Sequence, residues 1–178
     1  MWQALSQVSH LNGDIIEVGV WRGGSSAILG RRSIVENIDA KLWLCDTFTG
    51  VVKSSDRDEY FMGGEVSDTS AKHVSDLMRE VGINNYSIIE GIFPDETGNL
   101  IETNSIRFCH IDVDTYLSAK DTVDWVWDKM SMGGIIIFDD YGHVQCNGIT
   151  DYVDEQAKLS DRCVMHNHNG QAWLIKLN

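Results

Sequence analysis

Short apolar runs alternate along this chain with segments whose apolar residues recur at the helical period, and this alternation constrains the fold more than any other feature. The strand-like runs are Asp14–Gly19, Lys41–Asp46, Tyr86–Gly91, Ser105–Asp112 and Ile135–Asp139. Between the second and third runs, residues 69–82 place Val74, Leu77, Met78 and Val81 on one helical face. Strands separated by helices predict a parallel sheet that is covered by helices on both faces.

The rest of the chain continues this pattern and ends in a different one. Further helices are predicted at Ser25–Asn37, at Leu117–Met130 and around Ile149–Ala157. Ser25 is the predicted N-cap of the first, and Gly133-Gly134 is expected to end the second. The runs Arg162–His168 and Gln171–Leu177 flank Asn169-Gly170, a strong hairpin signal. The predicted fold is α/β: a doubly wound, mostly parallel, seven-stranded sheet with a C-terminal antiparallel hairpin, in a single domain over residues 1–178 with a short N-terminal helix.

Length, composition and charge exclude several classes of protein. The chain has 178 residues, of which 43% are hydrophobic and 23% charged, as is ordinary for a globular domain and unlike a disordered chain. The net charge of −13 argues against nucleic-acid and membrane-surface partners. No apolar window is long enough to span a bilayer, Met1–Leu11 lacks a basic segment before an apolar run, and the four cysteines form no CxxC pair. We therefore expect a cytoplasmic protein with reduced thiols.

The segment Glu17–Ser26 follows the first predicted strand and opens a helix. Its glycines permit a tight turn and a close approach of backbone to a ligand, and its serines lie at a helix N-terminus. It matches neither GxGxxG nor a P-loop, so a nucleoside-type cofactor is favoured, NAD stays open, and a turn without a ligand is the alternative. Trp21 either packs on a bound adenosine or covers the turn. Asp46 ends the second strand, where an acid accepts hydrogen bonds from ribose hydroxyls.

Acidic residues end the fourth and fifth predicted strands. If these strands are adjacent and parallel, Asp112, Asp139 and Asp140 come together, and clustered carboxylates repel one another unless a cation or a proton intervenes. Hard oxygen ligands favour Mg²⁺, Mn²⁺ or Ca²⁺ over zinc. The alternative is that these acids cap helices or are simply solvated. His143 follows the pair and faces either the site or solvent, whereas His110 is expected to be buried and satisfied in its strand.

The stretch Thr47–Asp68 has no helical or strand period. It contains several glycines and acids around the cluster Tyr60, Phe61 and Met62. About twenty residues without a period are uncommon in a compact domain and often form a lid or a binding loop. We expect a lid, with a disordered excursion as the alternative.

Taken together, these elements resemble a class I S-adenosylmethionine-dependent methyltransferase, and more narrowly the macrocin O-methyltransferase family. Five motifs carry the resemblance: EVGVWRGGSS at 17–26, CDTFTG at 45–50, EGIFPDET at 90–97, HIDVDTY at 110–116 and FDDYG at 138–142. The resemblance implies a Rossmann-like fold, S-adenosylmethionine and Mg²⁺ as cofactors, and methylation of sugar hydroxyls on natural products. A small-molecule hydroxyl acceptor is therefore the expected partner, and a homo-oligomer stays open.

The resemblance also implies roles for single residues. The turn should hold the methionine part of the cofactor through Glu17, Gly19, Val20, Trp21, Gly23, Ser25 and Ser26. Asp46 should bind the ribose with Thr47 and Phe48 beside it, while Gly91, Ile92 and Phe93 should lie near the adenine. Asp112 is assigned to the cofactor, to catalysis and, with Asp139 and Asp140, to Mg²⁺. Asp114 resembles the family's general base.

Three hypotheses follow. The leading one is a Mg²⁺-dependent O-methyltransferase that acts on a small sugar-bearing or polyhydroxy molecule. The second keeps the fold and the nucleoside cofactor without catalysis. The third, an NAD-dependent oxidoreductase, is disfavoured because GxGxxG is absent.

Overall fold

A computed structural model describes residues 1–178 as a seven-stranded sheet flanked by helices. The strands are β1 (Asp14–Val18), β2 (Leu42–Asp46), β3 (Tyr86–Glu90), β4 (Ile106–Ile111), β5 (Met130–Phe138), β6 (Arg162–His166) and β7 (Ala172–Lys176). The helices are α1 (Trp2–Gln7), α2 (Gly24–Val35), α3 (Ala71–Glu80), α4 (Tyr116–Val126) and α5 (Asn147–Gln156).

The strand order is β3-β2-β1-β4-β5-β7-β6, and the first five strands are parallel. Strand β7 runs antiparallel to both β5 and β6, which confirms the predicted C-terminal hairpin at the edge of the sheet. The order reverses between β1 and β4, so the carboxyl ends of these strands flank the crevice where ligands bind in open α/β sheets.

Alternate residues of each central strand contribute to two separate cores, one on each face of the sheet. In β5, Ile135 and Ile137 join the core that includes residues of α1, α2 and α3, whereas Ile136 and Phe138 join the core that includes residues of α4 and α5. This is the two-residue period of a strand buried on both faces. The pattern confirms the predicted doubly wound architecture.

Two boundaries differ from the sequence predictions. The N-cap of α2 is Gly23 rather than Ser25, because Gly23 has a φ of 82° and turns the chain in the left-handed region before the first helical residue. Strand β5 begins at Met130, and Gly133-Gly134 lies inside it rather than ending a helix. Gly133 has a φ of 77°, and the pairing of β5 with β4 shifts register at this point, which is the behaviour of a bulge.

None of the five helices combines the length and the apolar content that crossing a membrane requires.

Candidate functional site

The turn between β1 and α2 lies directly against the loop that follows β4. Gly19 has a φ of 86°, and a Cβ atom at this position would lie 1.7 Å from the carbonyl oxygen of Asp112. Only glycine avoids that clash, so the turn and the start of the acidic loop are built around one another. The amide of Asp112 donates to the carbonyl oxygen of Val18 at 2.9 Å and extends the parallel ladder beyond the strand.

Asp46 holds the turn in place. Its Oδ2 accepts hydrogen bonds from the amides of Val20 at 2.7 Å and Trp21 at 2.8 Å, and its Oδ1 accepts from the amide of Phe48 at 2.7 Å. Three charge-assisted bonds to backbone make this carboxylate a brace for the turn. The sequence predicts a ribose ligand at this position, and the structure adds that both carboxylate oxygens already have partners within the chain.

A cavity of about 340 Å³ opens at the carboxyl ends of the parallel strands. Seven of the predicted cofactor residues line it: Gly19, Trp21, Asp46, Thr47, Gly91, Phe93 and Asp112. Asp114, Asp139 and Asp140 line it as well. Eight further lining residues are not singled out by the sequence: Val18, Cys45, Gly50, Val51, Val52, Val66, Val113 and Ser118. Four of them, Gly50, Val51, Val52 and Val66, belong to the segment Thr47–Asp68 that the sequence predicts to be a lid or a binding loop.

The other seven predicted cofactor residues do not line the cavity: Glu17, Val20, Gly23, Ser25, Ser26, Phe48 and Ile92. Val20 is buried in the core of the α2 and α3 face, and Phe48 packs against that core. Ile92 donates its amide to Glu96 at 2.9 Å within the loop after β3. The structure therefore brings half of the predicted set to the cavity and leaves the rest to support it.

The segment Thr47–Asp68, called the covering segment from here on, lies over the cavity. Several contacts tie it to the rest of the fold. Lys53 forms ion pairs with Asp95 at 2.8 Å and Asp121 at 2.7 Å, with only 13% of its side chain exposed. Phe61 is buried in the core of the α4 and α5 face. These anchors contradict a disordered excursion, and the lid function itself stays a prediction.

The end of the same segment closes onto the glycine turn. The indole Nε1 of Trp21 donates to Asp68 at 2.8 Å, and Arg22 forms an ion pair with the same carboxylate. The hydroxyl of Thr69 donates to the carbonyl oxygen of Trp21. Trp21 keeps 43% of its surface exposed and lines the cavity, so its ring forms part of the boundary between the turn and the covering segment.

The predicted acids gather at the ends of β4 and β5. One carboxylate oxygen each from Asp112, Asp114 and Asp140 lie within 4.8 Å of one another, and Asp112 and Asp139 form a second such group with His110. The parallel register of Ile111 with Phe138 places the two strand ends side by side. Asp112 belongs to both groups. The structure therefore brings it close to the other two predicted metal ligands, Asp139 and Asp140.

Crowding and burial change the acidity of this cluster. Burial raises the pKa of Asp112 to about 8, with further increases from Asp139, Asp114 and Asp140 and an opposing effect from His110. Burial and the neighbouring Asp140 raise the pKa of Asp114 to about 6, and burial also raises the pKa of Asp140. Each shift records the free-energy cost of holding negative charges together away from water.

The backbone at two of these acids is strained. Asp114 has a φ of 63° and Asp140 a φ of 59°, both in the left-handed region that residues other than glycine rarely adopt. Such conformations persist where the surrounding structure holds them, and they are concentrated at functional sites. Together with the raised pKa values, they mark the cluster as the chemically specialised part of the cavity.

A chain of buried polar groups runs beneath the cluster. Glu17 and His110 are paired residues of β1 and β4, both with no exposed surface, and Nδ1 of His110 lies 2.8 Å from Oε1 of Glu17. The hydroxyl of Ser26 donates to the other oxygen of Glu17. Burial lowers the pKa of His110, but the hydrogen bond and charge of Glu17 together with the charges of Asp112 and Asp139 outweigh it, so the pKa lies above its usual value.

His110 is buried as expected but is not satisfied. Its Nε2 has no hydrogen-bond partner and lies 3.9 Å from Oδ2 of Asp139. The sequence offered a signal for this placement, since residues 108, 110 and 112 of one strand share a face. Sequence reasoning missed it because the histidine was considered alone rather than as the residue below Asp112.

His143 sits on the opposite side of the cluster and is exposed. One ligand atom each from Asp140, His143 and Cys146 lie within 4.8 Å of one another. The Sγ of Cys146 is 3.9 Å from His143 Nδ1 and 3.7 Å from Asp114 Oδ1, and burial raises the pKa of its thiol. The predicted position of His143 next to the acids is thus observed, while its role stays open.

The donor set fits a divalent cation. Four carboxylates with oxygen atoms in two tight groups supply the hard ligands that Mg²⁺ and Mn²⁺ prefer, and burial together with neighbouring negative charge raises the pKa values of Asp112 and Asp114. The unpartnered nitrogen of His110 faces the same space. The cavity beside them offers room for a ligand, and both hydrogen-bonding groups and the carboxylates line it.

Comparisons with known proteins point in one direction. The family model described as macrocin-O-methyltransferase (TylF) matches residues 3–174. Demethyldecarbamoylnovobiocin O-methyltransferase of Streptomyces niveus is 28% identical over 93% of this chain and 67% of its own length. Mycinamicin III 3''-O-methyltransferase of Micromonospora griseorubida is 26% identical over 90% of this chain and 68% of its own length.

Among solved structures, that of the O-methyltransferase NovP superposes with a TM-score of 0.84 at 23% identity, covering 99% of this chain and 78% of that one. This likeness confirms the fold. The chain spans about two thirds of the length of the two curated relatives.

Proposed function

This chain belongs to the macrocin O-methyltransferase family, and from that premise we propose that it transfers a methyl group from S-adenosylmethionine to a hydroxyl of a small sugar-bearing or polyhydroxy molecule, with a divalent cation at its acidic cluster. The named relatives are O-methyltransferases, so the chain is a methyltransferase rather than a dinucleotide oxidoreductase. The acceptor and the need for Mg²⁺ are the proposed parts.

The cavity between the turn and the covering segment is the proposed cofactor site. S-adenosylmethionine supplies an electrophilic methyl group on a sulfonium centre. In this proposal Gly19 and Asp112 would contact the methionine part and Gly91 and Phe93 the adenine, and all four residues line the cavity. Val51, Val52 and Val66 line the same cavity, and their apolar side chains would help to exclude water when the cofactor is bound.

Asp112, Asp139 and Asp140 would hold the cation beside this cavity. A bound divalent cation supplies positive charge that orients two neighbouring hydroxyls and lowers the pKa of the one to be methylated. Asp114 is the proposed general base. Without a cation, burial and Asp140 raise its pKa to about 6, so the carboxylate is ionised near neutral pH and can accept a proton.

A second cleft, of about 500 Å³, offers a place for the acceptor. It lies beside the acids, because Gly142 and His143 follow Asp140 along the chain. Its lining is almost entirely polar: Asp56, Arg57, Glu59, Gly142, His143, Val144, Asn147, Thr150 and Asp151. Hydroxyl-rich molecules suit a surface that both donates and accepts hydrogen bonds.

The observation that carries the proposal is the convergence of partly buried, crowded carboxylates on the cavity of a methyltransferase fold. Its test combines binding and turnover. Titration calorimetry with S-adenosylhomocysteine should show binding to the protein, and methyl transfer should be measured with demethyldecarbamoylnovobiocin, mycinamicin III and catechol as acceptors. Transfer should require added Mg²⁺ and stop in excess chelator.

The variant Asp139→Asn distinguishes the role of the cation from that of S-adenosylmethionine. Asp139→Asn should abolish transfer but keep most of the affinity for S-adenosylhomocysteine, because Asp139 lies on the cation side of the cavity. Full transfer in the presence of chelator would refute the metal role. Cofactor binding with no transfer to any acceptor would favour the non-catalytic alternative.

A further inference from the structure

The most unusual group beneath the acidic cluster is the imidazole of His110. The side chain has no exposed surface, yet its Nε2 lacks any hydrogen-bond partner. A buried polar atom without a partner loses its hydration and gains nothing in exchange, so its retention calls for an explanation. One ring nitrogen of His110 and one carboxylate oxygen each from Asp112 and Asp139 lie within 4.8 Å of one another, and Nε2 itself lies 3.9 Å from Oδ2 of Asp139.

The other ring nitrogen has a fixed role. Nδ1 lies 2.8 Å from the carboxylate of Glu17, which can only accept, so Nδ1 carries a hydrogen and donates it. Ser26 donates to the second oxygen of Glu17 and holds that carboxylate in place. In the singly protonated ring, the lone pair is therefore on Nε2 and is directed at the acidic cluster.

This arrangement is that of a histidine prepared to bind a metal. Metal-binding histidines usually donate their other ring N–H to a carboxylate, which fixes the tautomer and the orientation of the ring. The separation of 3.9 Å between Nε2 of His110 and Oδ2 of Asp139 is too long for a hydrogen bond. It is within the combined length of two bonds to a shared ion, about 4.2 Å for nitrogen and oxygen ligands.

We propose that His110 is a direct nitrogen ligand of the divalent cation through Nε2, together with Asp112 and Asp139, and that Glu17 is the positioning residue that orients its ring. This inference rests on the proposed function in requiring a cation at the cluster. It goes beyond that function in assigning a nitrogen ligand and a preference: an imidazole in the set favours Mn²⁺ or Co²⁺ over Mg²⁺.

The role of Glu17 differs from that expected from the sequence. Glu17 is fully buried and does not line the cavity, so it has no direct route to a cofactor there. Its two oxygens are committed to Ser26 and His110. A buried carboxylate held in this way acts on the cation through the histidine, and it joins the glycine turn to the metal site.

The test is pulsed electron paramagnetic resonance on the full chain loaded with Mn²⁺. The wild-type protein should show modulation from a directly bound imidazole ¹⁴N, and labelling with ¹⁵N-histidine should replace that modulation with the ¹⁵N pattern. His143→Asn should keep the signal, which makes it the matched control, since His143 is the other histidine in a donor group of the cluster. His110→Asn should lose it, because the amide can still serve Glu17 but does not reach the ion.

Affinity gives a second readout that does not depend on the spectrum. Glu17→Gln should keep the nitrogen signal and raise the dissociation constant for Mn²⁺ by about 10-fold, as is typical for loss of an outer partner. His110→Asn should raise it further and should reduce the preference for Co²⁺ over Mg²⁺. Thermal unfolding in chelator checks that each variant is folded.

The outcomes separate this inference from the proposed function. Tight binding of Mn²⁺ without ¹⁴N modulation in the wild-type protein would overturn the nitrogen ligand and leave the cation site standing. Modulation that survives His110→Asn but disappears in His143→Asn would assign the nitrogen to His143 and overturn it equally. Failure of Mn²⁺ to bind at all would remove both the cation site and the inference.

Discussion

The glycine turn and the acidic cluster lie a few ångströms apart and are stabilised in opposite ways. In the turn, the backbone amides of Val20, Trp21 and Phe48 are all satisfied by Asp46. In the cluster, carboxylates with raised pKa values crowd one another, and a buried imidazole nitrogen has no partner. The turn is complete in the protein alone, whereas the cluster lacks positive charge.

Because of this difference, the same edge of the sheet suits two kinds of ligand. A preformed turn binds an organic cofactor without reorganising, so little of the binding energy is lost to ordering. A cluster of unpaired charges is unfavourable until a cation arrives, and binding then relieves the repulsion. We expect the turn to govern cofactor affinity and stability, and the cluster to govern metal affinity and turnover.

Gly19→Ala should have the largest effect, because it affects both regions at once. The added Cβ would meet the carbonyl oxygen of Asp112 at 1.7 Å, and a φ of 86° is unfavourable for alanine. Strain and forced displacement together should lower the free energy of unfolding by about 3–4 kcal/mol, measured by urea denaturation. Gly24→Ala is the control, since a Cβ there meets nothing within 4 Å. Equal midpoints for the two variants would refute the tight contact.

Asp112→Asn should affect stability and activity in opposite directions. Because the pKa of Asp112 is raised to about 8, this group takes up a proton on folding at pH 7, and an amide avoids that cost, so the free energy of unfolding in chelator at pH 7 should rise by about 1 kcal/mol. Methyl transfer should fall about 100-fold or more, because a bound cation supplies several kcal/mol to such a reaction.

Thermal unfolding in chelator and a transfer assay with Mg²⁺ measure the two effects of Asp112→Asn. Asp128→Asn, an exposed aspartate on the 3₁₀ turn after α4, is the control and should change neither. A loss of stability in Asp112→Asn would show that the cluster is not under electrostatic stress.

The sequence predicts some features of the fold and the site but not others. The apolar runs and the Asn169-Gly170 turn predict the sheet and its hairpin, because both signals are local. The acids at the ends of β4 and β5 follow from the same runs. The unpartnered nitrogen of His110 does not, because it depends on the register that pairs Glu17 with His110 across ninety-three residues of sequence separation. The valines of the covering segment carry no periodic signal at all.

Lys53→Ala tests whether the covering segment acts together with the glycine turn in binding the cofactor. Lys53 joins this segment to Asp95 and Asp121, while its neighbours Val51 and Val52 line the cavity. Loss of the two ion pairs should cost about 1 kcal/mol of stability, since both carboxylates remain partly hydrated. Loosening of the segment should raise the dissociation constant for S-adenosylhomocysteine by about 10-fold, a change that calorimetry detects readily.

The control for Lys53→Ala is Lys72→Ala, which removes an exposed ion pair within α3. That variant should bind S-adenosylhomocysteine as the wild-type protein does. Unchanged cofactor affinity in Lys53→Ala would mean that the segment does not act as a lid, whatever its contacts in the structure.

Trp21→Phe should have the smallest effect, and it separates the two roles of the indole. Phenylalanine keeps an aromatic ring at the edge of the cavity but removes the hydrogen bond from Nε1 to Asp68. Because that bond is exposed, stability should change by less than about 0.5 kcal/mol. Affinity for S-adenosylhomocysteine should fall only a few-fold, as expected for loss of one hydrogen bond worth about 1 kcal/mol.

The affinity of Trp21→Phe is compared with that of Trp21→Ala. The control is Trp2→Phe on α1, since Trp2 does not line the cavity. If the ring contacts the cofactor, Trp21→Ala should lose far more affinity than Trp21→Phe, because stacked aromatic surface is lost along with the bond. Equal losses in the two Trp21 variants would instead assign the effect to Asp68 and closure of the segment. No loss in either would exclude Trp21 from cofactor binding, and the completeness of the turn would then rest on Asp46 and its three backbone partners alone.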